Sequence, residues 1–158
     1  LQNIFNPHSN HLKEVVIGPI IYRVNDKVLN LVNDVDKGIY NGDIGFIYDI
    51  DINSKSDFIK VNFDNNIVSF KKEELSSIKH AYAITIHKAQ GSEFDHVIMP
   101  ISKTYNKMLY NKLIYTGVSR AKKSLIIIGS SEAFIYSVNN DYSEIRKTNL
   151  KELVMNNI

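Results

Sequence analysis

A chain of 158 residues has room for one ordinary domain with a real core, or for a domain plus a small appended module, but not for a complete two-domain motor. With 44% hydrophobic and 23% charged residues the composition is that of a soluble globular protein, and no run approaches the roughly 18 uninterrupted apolar residues of a membrane span. The absence of cysteine excludes disulfides and cysteine-based zinc sites, and fits a reducing, cytoplasmic setting; the net charge of +2 is too small to argue for any partner by itself.

Other exclusions follow from how the residues are spread. His8, His11, His80, His87 and His96 lack acidic companions at metal-ligand spacing, so no metal site is expected. The chain opens at Leu1 without an initiator methionine or a signal segment, as expected of a piece of a longer protein. Charge is unevenly distributed. No acid lies between Asp95 and Glu132, where Lys103, Lys107, Lys112, Arg120, Lys122 and Lys123 all fall, whereas Ile20 to Leu75 has an acidic excess. Such a basic block suits a polyanion, and equally a solvated helix face.

From about Val15 to Ile78 the sequence reads as short strands and tight turns. "DKVLNLV" and "GFIYDI" are strand candidates joined through "NDVDKGIYNGDIG", with glycine at 38, 42 and 45; Asn41 and Gly42 read as a tight turn. "FIKVNF" and "IVSF", separated by "DNN", alternate as the two arms of a hairpin. Several short strands without a helical period predict a small closed or nearly closed β-barrel.

After Lys79 the pattern changes. "AYAIT", "HVIMPI" and "SLIIIG" are apolar runs suited to strands buried on both faces. Between the last two, "NKMLYNKLIYTGVSRA" sets Met108, Leu109, Leu113 and Val118 at near-helical spacing. Strand, helix and strand predict an α/β domain with a parallel sheet, and three strands predict only part of one. Helices are expected at "SEAFIYSV" and at "NLKELVM".

Two polar clusters stand out. "TIHKAQGSEF" follows "AYAI", where an open α/β sheet gathers ligands at strand carboxyl ends. Thr85, His87, Lys88 and Gln90 can donate to phosphate or sugar oxygens, Gly91 permits close backbone approach, and Glu93 can accept from a ribose hydroxyl. A capped turn with Thr85 as its cap explains the same residues. In "YTGVSRAKKS", Lys122 and Lys123 suit a helix end, but Arg120 is the only arginine between Arg23 and Arg146. Its fork suits a bidentate phosphate contact that lysine would not reproduce.

Together, "AYAITIHKAQGSEFDHVIMP" and "LIYTGVSRAKKSLIIIG" resemble motifs V and VI of superfamily-1 helicases, the second carrying that family's arginine finger. "DKVLNLVNDVDKGIYNGDIGFI" resembles the start of the SH3-like barrel inserted in the second motor domain of RecD-like helicases, the exodeoxyribonuclease V alpha-chain type, and "LQNIFNP" resembles the phrase preceding it. The resemblance covers roughly residues 1 to 130. It implies a partial RecA-like second motor domain: residues 1–14 ending an upstream motor segment, 15–78 forming the barrel, and 79–158 the carboxy-terminal motor part. It implies DNA contact by Thr85, His87 and Lys88, nucleotide contact by Gln90, Gly91, Glu93 and Arg120, and a catalytic role for Arg120.

The implied ligands are ATP with Mg2+ and single-stranded DNA, with nuclease-complex subunits as further partners and no membrane. The chain has neither a GxxxxGK[ST] loop nor an acidic magnesium motif, so the metal and most phosphate contacts are expected from another motor domain, and the fragment alone is not expected to hydrolyse ATP. The resemblance implies 5′ to 3′ translocation. The alternatives are a Pif1-like, Dda-like or relaxase-type helicase, or a non-catalytic module that binds single-stranded nucleic acid.

Overall fold

A computed structural model describes residues 1–141, apart from the side chain of Asn106; the helix expected at "NLKELVM" lies outside the described residues. The chain divides into two compact units, Leu1–Lys88 and Ala89–Ile158, each described here by itself. Among the described residues no helix is long and apolar enough to cross a membrane.

In the first unit a short helix, α1 (Gln2–Phe5), precedes the antiparallel hairpin β1 (Glu14–Ile17) and β2 (Ile20–Arg23). The following strands β3 (Lys27–Asn30), β4 (Ile44–Ile50), β5 (Ile59–Phe63), β6 (Asn66–Phe70) and β7 (Ile78–His80) form one antiparallel sheet in the order β6-β5-β4-β3-β7. The predicted β5–β6 hairpin is present with a two-residue turn. Asp64 and Asn65 both take positive φ, at 45° and 72°, the conformation whose twist matches that of the flanking strands.

The sheet's inner face carries Val28, Ile47, Ile50, Ile59, Val61, Phe63, Val68 and Phe70 into one core with Tyr22, Ile39, Phe58, Leu75 and Ile78. The alternation in β5, with Ile59, Val61 and Phe63 buried, follows from the period of two of a half-covered strand. The expected closed barrel is not formed by hydrogen bonds among the described residues, because β6 and β7 remain the two edges of the ladder. Between them in sequence runs a 3-10 turn, Lys72–Ser77, that packs on both edge strands and sends Leu75 into the core.

The second unit is built around β8 (Phe94–Ile101) and β9 (Ala121–Gly129), paired in parallel, with α2 (Asn111–Val118) between them and α3 (Ser131–Asn139) after them. This is the predicted strand-helix-strand unit, and α3 occupies "SEAFIYSV". The hydroxyl of Ser130 accepts from the amide of Ala133 and caps α3. At Gly129, φ is +143° and an added Cβ would stand 1.8 Å from the carbonyl oxygen of Ile101, so only glycine lets β9 end against β8 in this way.

Three expectations are corrected here. The run "AYAIT" is not a strand: the Ala81 amide still donates to the Lys27 carbonyl at 2.8 Å, but residues 82–85 extend no ladder among the described residues, and a short apolar run can serve equally as a packed, irregular segment. The β8 and β9 runs are not buried on both faces. Ile98 is 64% exposed and Ile128 56%, because a two-stranded sheet offers few neighbours to cover them. Finally, α2 starts only at Asn111; Leu113, Ile114 and Gly117 are its buried side and Leu109 is buried ahead of it, whereas Met108 and Val118 are exposed.

Candidate functional site

In the first unit the polar cluster begins as a capped turn. The Thr85 hydroxyl accepts from the amide of Lys88 at 3.3 Å, which is the capping role weighed for it from sequence. Thr85 and His87 are exposed. The ammonium of Lys88 donates to Oδ1 of Asn41 at 2.6 Å, which uses one of its three N–H groups and leaves two. Asn41 is itself fixed: its amide donates to Oδ1 of Asn33, and the neighbouring Gly42 amide donates to the carbonyl of Asn30. The Asn41-Gly42 turn therefore does more than shape the sheet, since it holds a lysine of the cluster.

The other end of this segment is tied to a buried carboxylate. Asp26, at 0% exposure, accepts five hydrogen bonds. Oδ1 takes those of Asn6 Nδ2 (2.7 Å) and the Tyr82 hydroxyl (2.7 Å). Oδ2 takes those of Gln2 Nε2 (2.7 Å), the Arg23 amide (2.8 Å) and His80 Nε2 (3.1 Å), whose ring nitrogen must donate because an ionised carboxylate only accepts. Burial alone would push this carboxyl up. The hydrogen bonds from His80, Asn6, Tyr82 and the Arg23 amide outweigh it and bring the pKa down from 3.8 to about 2. Burial, followed by the bond to Asp26 and its charge, pushes the Tyr82 hydroxyl up to about 12.

In the second unit Gln90, Gly91 and Glu93 precede β8 and Arg120 precedes β9, where the Phe94 amide donates to the Arg120 carbonyl at 2.8 Å. These residues thus gather at the amino ends of the parallel pair, not at the carboxyl end of a preceding strand, because residues 81–85 are not a strand. Gly91 has φ +85° with open space around an added Cβ, so backbone conformation and not packing calls for glycine there. Gln90 is exposed. Glu93 pairs with Lys122 at 3.0 Å, with both side chains more than half exposed.

Arg120 is held by its own surroundings. Nε donates to the Thr116 carbonyl (3.1 Å), Nη1 to the Ser92 carbonyl (3.1 Å) and Nη2 to the Ser119 hydroxyl (3.0 Å). A guanidinium has five N–H groups, so one remains on each terminal nitrogen. Much of the basic block is neutralised by flanking acids: Lys122 by Glu93, Lys123 by Asp95 at 2.8 Å, and Lys103 by Glu132. Exposed pairs of this kind are screened by solvent and contribute little, so they answer the charge of the block more than they stabilise it.

Two family models match the chain: the ATP-dependent RecD-like DNA helicase SH3 domain over residues 1–63, and the UvrD-like helicase C-terminal domain over residues 80–128, a range that contains both polar clusters. The ATP-dependent RecD2 DNA helicase of Deinococcus radiodurans is 31% identical over 134 residues, and the RecBCD enzyme subunit RecD of Buchnera aphidicola subsp. Schizaphis graminum is 33% identical over 140. The chain belongs to the RecD-like superfamily-1 helicases. These alignments take in 85% and 87% of the RecD-like chain but only 18% and 22% of the two relatives.

The fold is also that of solved superfamily-1 structures. Pif1 helicase from Bacteroides in complex with ADP-AlF3 and single-stranded DNA matches with a TM-score of 0.54 and 21% identity, over 92% of this chain and 38% of that one. Bacteroides Pif1 bound to single-stranded DNA matches with a TM-score of 0.56 and 19% identity, over 98% and 42%. At such identities the likeness concerns the fold alone. The sequence pointed to the RecD-like residues Thr85 through Glu93 and Arg120, but it missed Asp26, Tyr82, Gln2 and Asn6. No spacing could have revealed them, because their donors come from separate stretches of the chain and meet only in the folded unit.

Proposed function

We propose that this RecD-like chain is the part of an ATP-dependent DNA helicase that grips single-stranded DNA and supplies the arginine finger for ATP hydrolysis carried out mainly by another motor domain. What most supports the reading is Arg120. Its three hydrogen bonds fix the guanidinium while one N–H on each terminal nitrogen remains to meet a phosphate.

Thr85, His87 and Lys88 are assigned to the DNA backbone: two exposed side chains and an ammonium with two remaining N–H groups can donate to consecutive phosphates without reading bases. Gln90, Gly91 and Glu93 are assigned to the nucleotide side. Glu93 can exchange its exposed partner Lys122 for a ribose hydroxyl at little cost. The two groups follow one another in a single short stretch of sequence, which suits the coupling a translocating motor requires.

The nucleotide brings Mg2+, which neutralises phosphate charge during transfer. Such a Mg2+ is held by one or two carboxylates or hydroxyls together with the nucleotide's phosphates, and we assign it to another motor domain because this chain has neither a GxxxxGK[ST] loop nor an acidic magnesium motif. Arg120 then acts on charge developing at the transferred phosphoryl group. Subunits of a nuclease complex are the proposed protein partners, and nuclease activity would reside in them. Strand displacement tests the reading: the full-length protein with ATP should separate a duplex carrying a 5′ single-stranded tail and leave a 3′-tailed one intact. Binding of both tails without displacement would instead assign the chain to a non-catalytic binding module.

A further inference from the structure

We infer that Asp26 and Tyr82 are positioning residues that pin the DNA-gripping segment to the five-stranded sheet, so that the grip of Thr85, His87 and Lys88 depends on an anchor that touches no DNA. The inference rests on the DNA reading of those three residues. Residues 81–88 form neither strand nor helix, so the segment has no ladder of its own to hold its shape. Beyond the Ala81 amide, which donates to the Lys27 carbonyl at 2.8 Å, it is fastened by side chains at two points: at Tyr82 by the Asp26 carboxylate and at Lys88 by Asn41.

The Tyr82 ring adds to the first point. It stacks on Phe5 with centroids 6.2 Å apart and an interplanar angle of 10°, and meets His80 at 5.8 Å. Asp26 is itself held by its remaining donors, which reach it from α1, from the residue after α1, from β2 and from β7. Between the two fastenings Ile84 and Ile86 are half-buried while Ala83, Thr85 and His87 are exposed, so the segment presents its polar side chains outward in a fixed order. Preorganisation of this kind strengthens binding by removing the cost of ordering a loop when ligand arrives.

Tyr82→Phe keeps the ring and both of its aromatic contacts and deletes only the hydroxyl, leaving Asp26 with four donors. In the full-length protein this variant should raise the concentration of oligo(dT) giving half-maximal ATPase about fivefold, leave turnover at saturating DNA within twofold, and speed amide hydrogen exchange in residues 83–88 but not in β3 to β5. In a His87→Ala background the same substitution should add little, since both changes act on one grip. Asn41→Ala, which unfastens the second point, should move the half-saturation in the same direction by a smaller factor. If His87→Ala weakens DNA binding but Tyr82→Phe leaves both half-saturation and exchange unchanged, the anchor is overturned while the DNA reading stands. If His87→Ala itself has no effect, both fail together.

Discussion

Arg120→Ala in the full-length protein should reduce DNA-stimulated ATP turnover by about 10³-fold or more, with single-stranded DNA binding retained. An arginine finger is worth roughly 10³ to 10⁵ in rate because it neutralises charge that exists fully only in the transition state. The substitution removes three hydrogen bonds, to Thr116, Ser92 and Ser119, so part of any effect could be loosening of the chain ahead of β8. Arg120→Lys separates the two causes. A lysine keeps the positive charge and can restore one of these bonds, but it cannot offer the fork, so turnover should remain down by at least about 10²-fold. A steady-state ATPase assay at saturating DNA, with circular dichroism to check the fold, reads both variants.

The second large effect is on stability. Asp26→Asn would place an amide NH2 among five donors and leave donor facing donor at a site with no access to water. The cost should be about 3 kcal/mol or more, which lowers the melting temperature of the first unit by at least about 10 °C. The native carboxyl has a folded pKa of about 2 against an ordinary value of 3.8. A depressed acid pKa contributes stability that is fully present above the ordinary value and is lost as pH falls through the folded one. Between pH 4 and pH 2 the wild type should therefore lose about 2 kcal/mol through this group, a loss that Asp26→Asn cannot show. Urea unfolding at stepped pH, followed by tyrosine fluorescence, measures the difference.

The sequence made some elements legible because their information is local. The β5–β6 hairpin could be read from alternation in "FIKVNF" and from turn residues that tolerate positive φ, and the β8-α2-β9 unit from two apolar runs around a helical period. The open edges of the first sheet could not be read. Nothing in "KKEELSS" announces a 3-10 turn that sends Leu75 into the core while β6 and β7 stay unpaired with each other. The run at 81–85 misled for a related reason: four small or apolar residues look like a strand, but a strand is defined by its partner, and the ladder between β3 and β7 goes no further than the Ala81 amide. In the second unit a solitary arginine stands out in a lysine-rich chain, whereas the acids that neutralise Lys103, Lys122 and Lys123 lie at the flanks of the basic block and meet it only on folding.

The most direct test of the motor account is ATP hydrolysis by the full-length wild-type protein, measured with and without oligo(dT) in the presence of Mg2+. The account predicts slow basal turnover that rises at least tenfold as the oligonucleotide saturates, because the DNA grip and the nucleotide contacts share the short stretch from Thr85 to Glu93. Turnover that is absent, or that proceeds at the same rate without DNA, would contradict it.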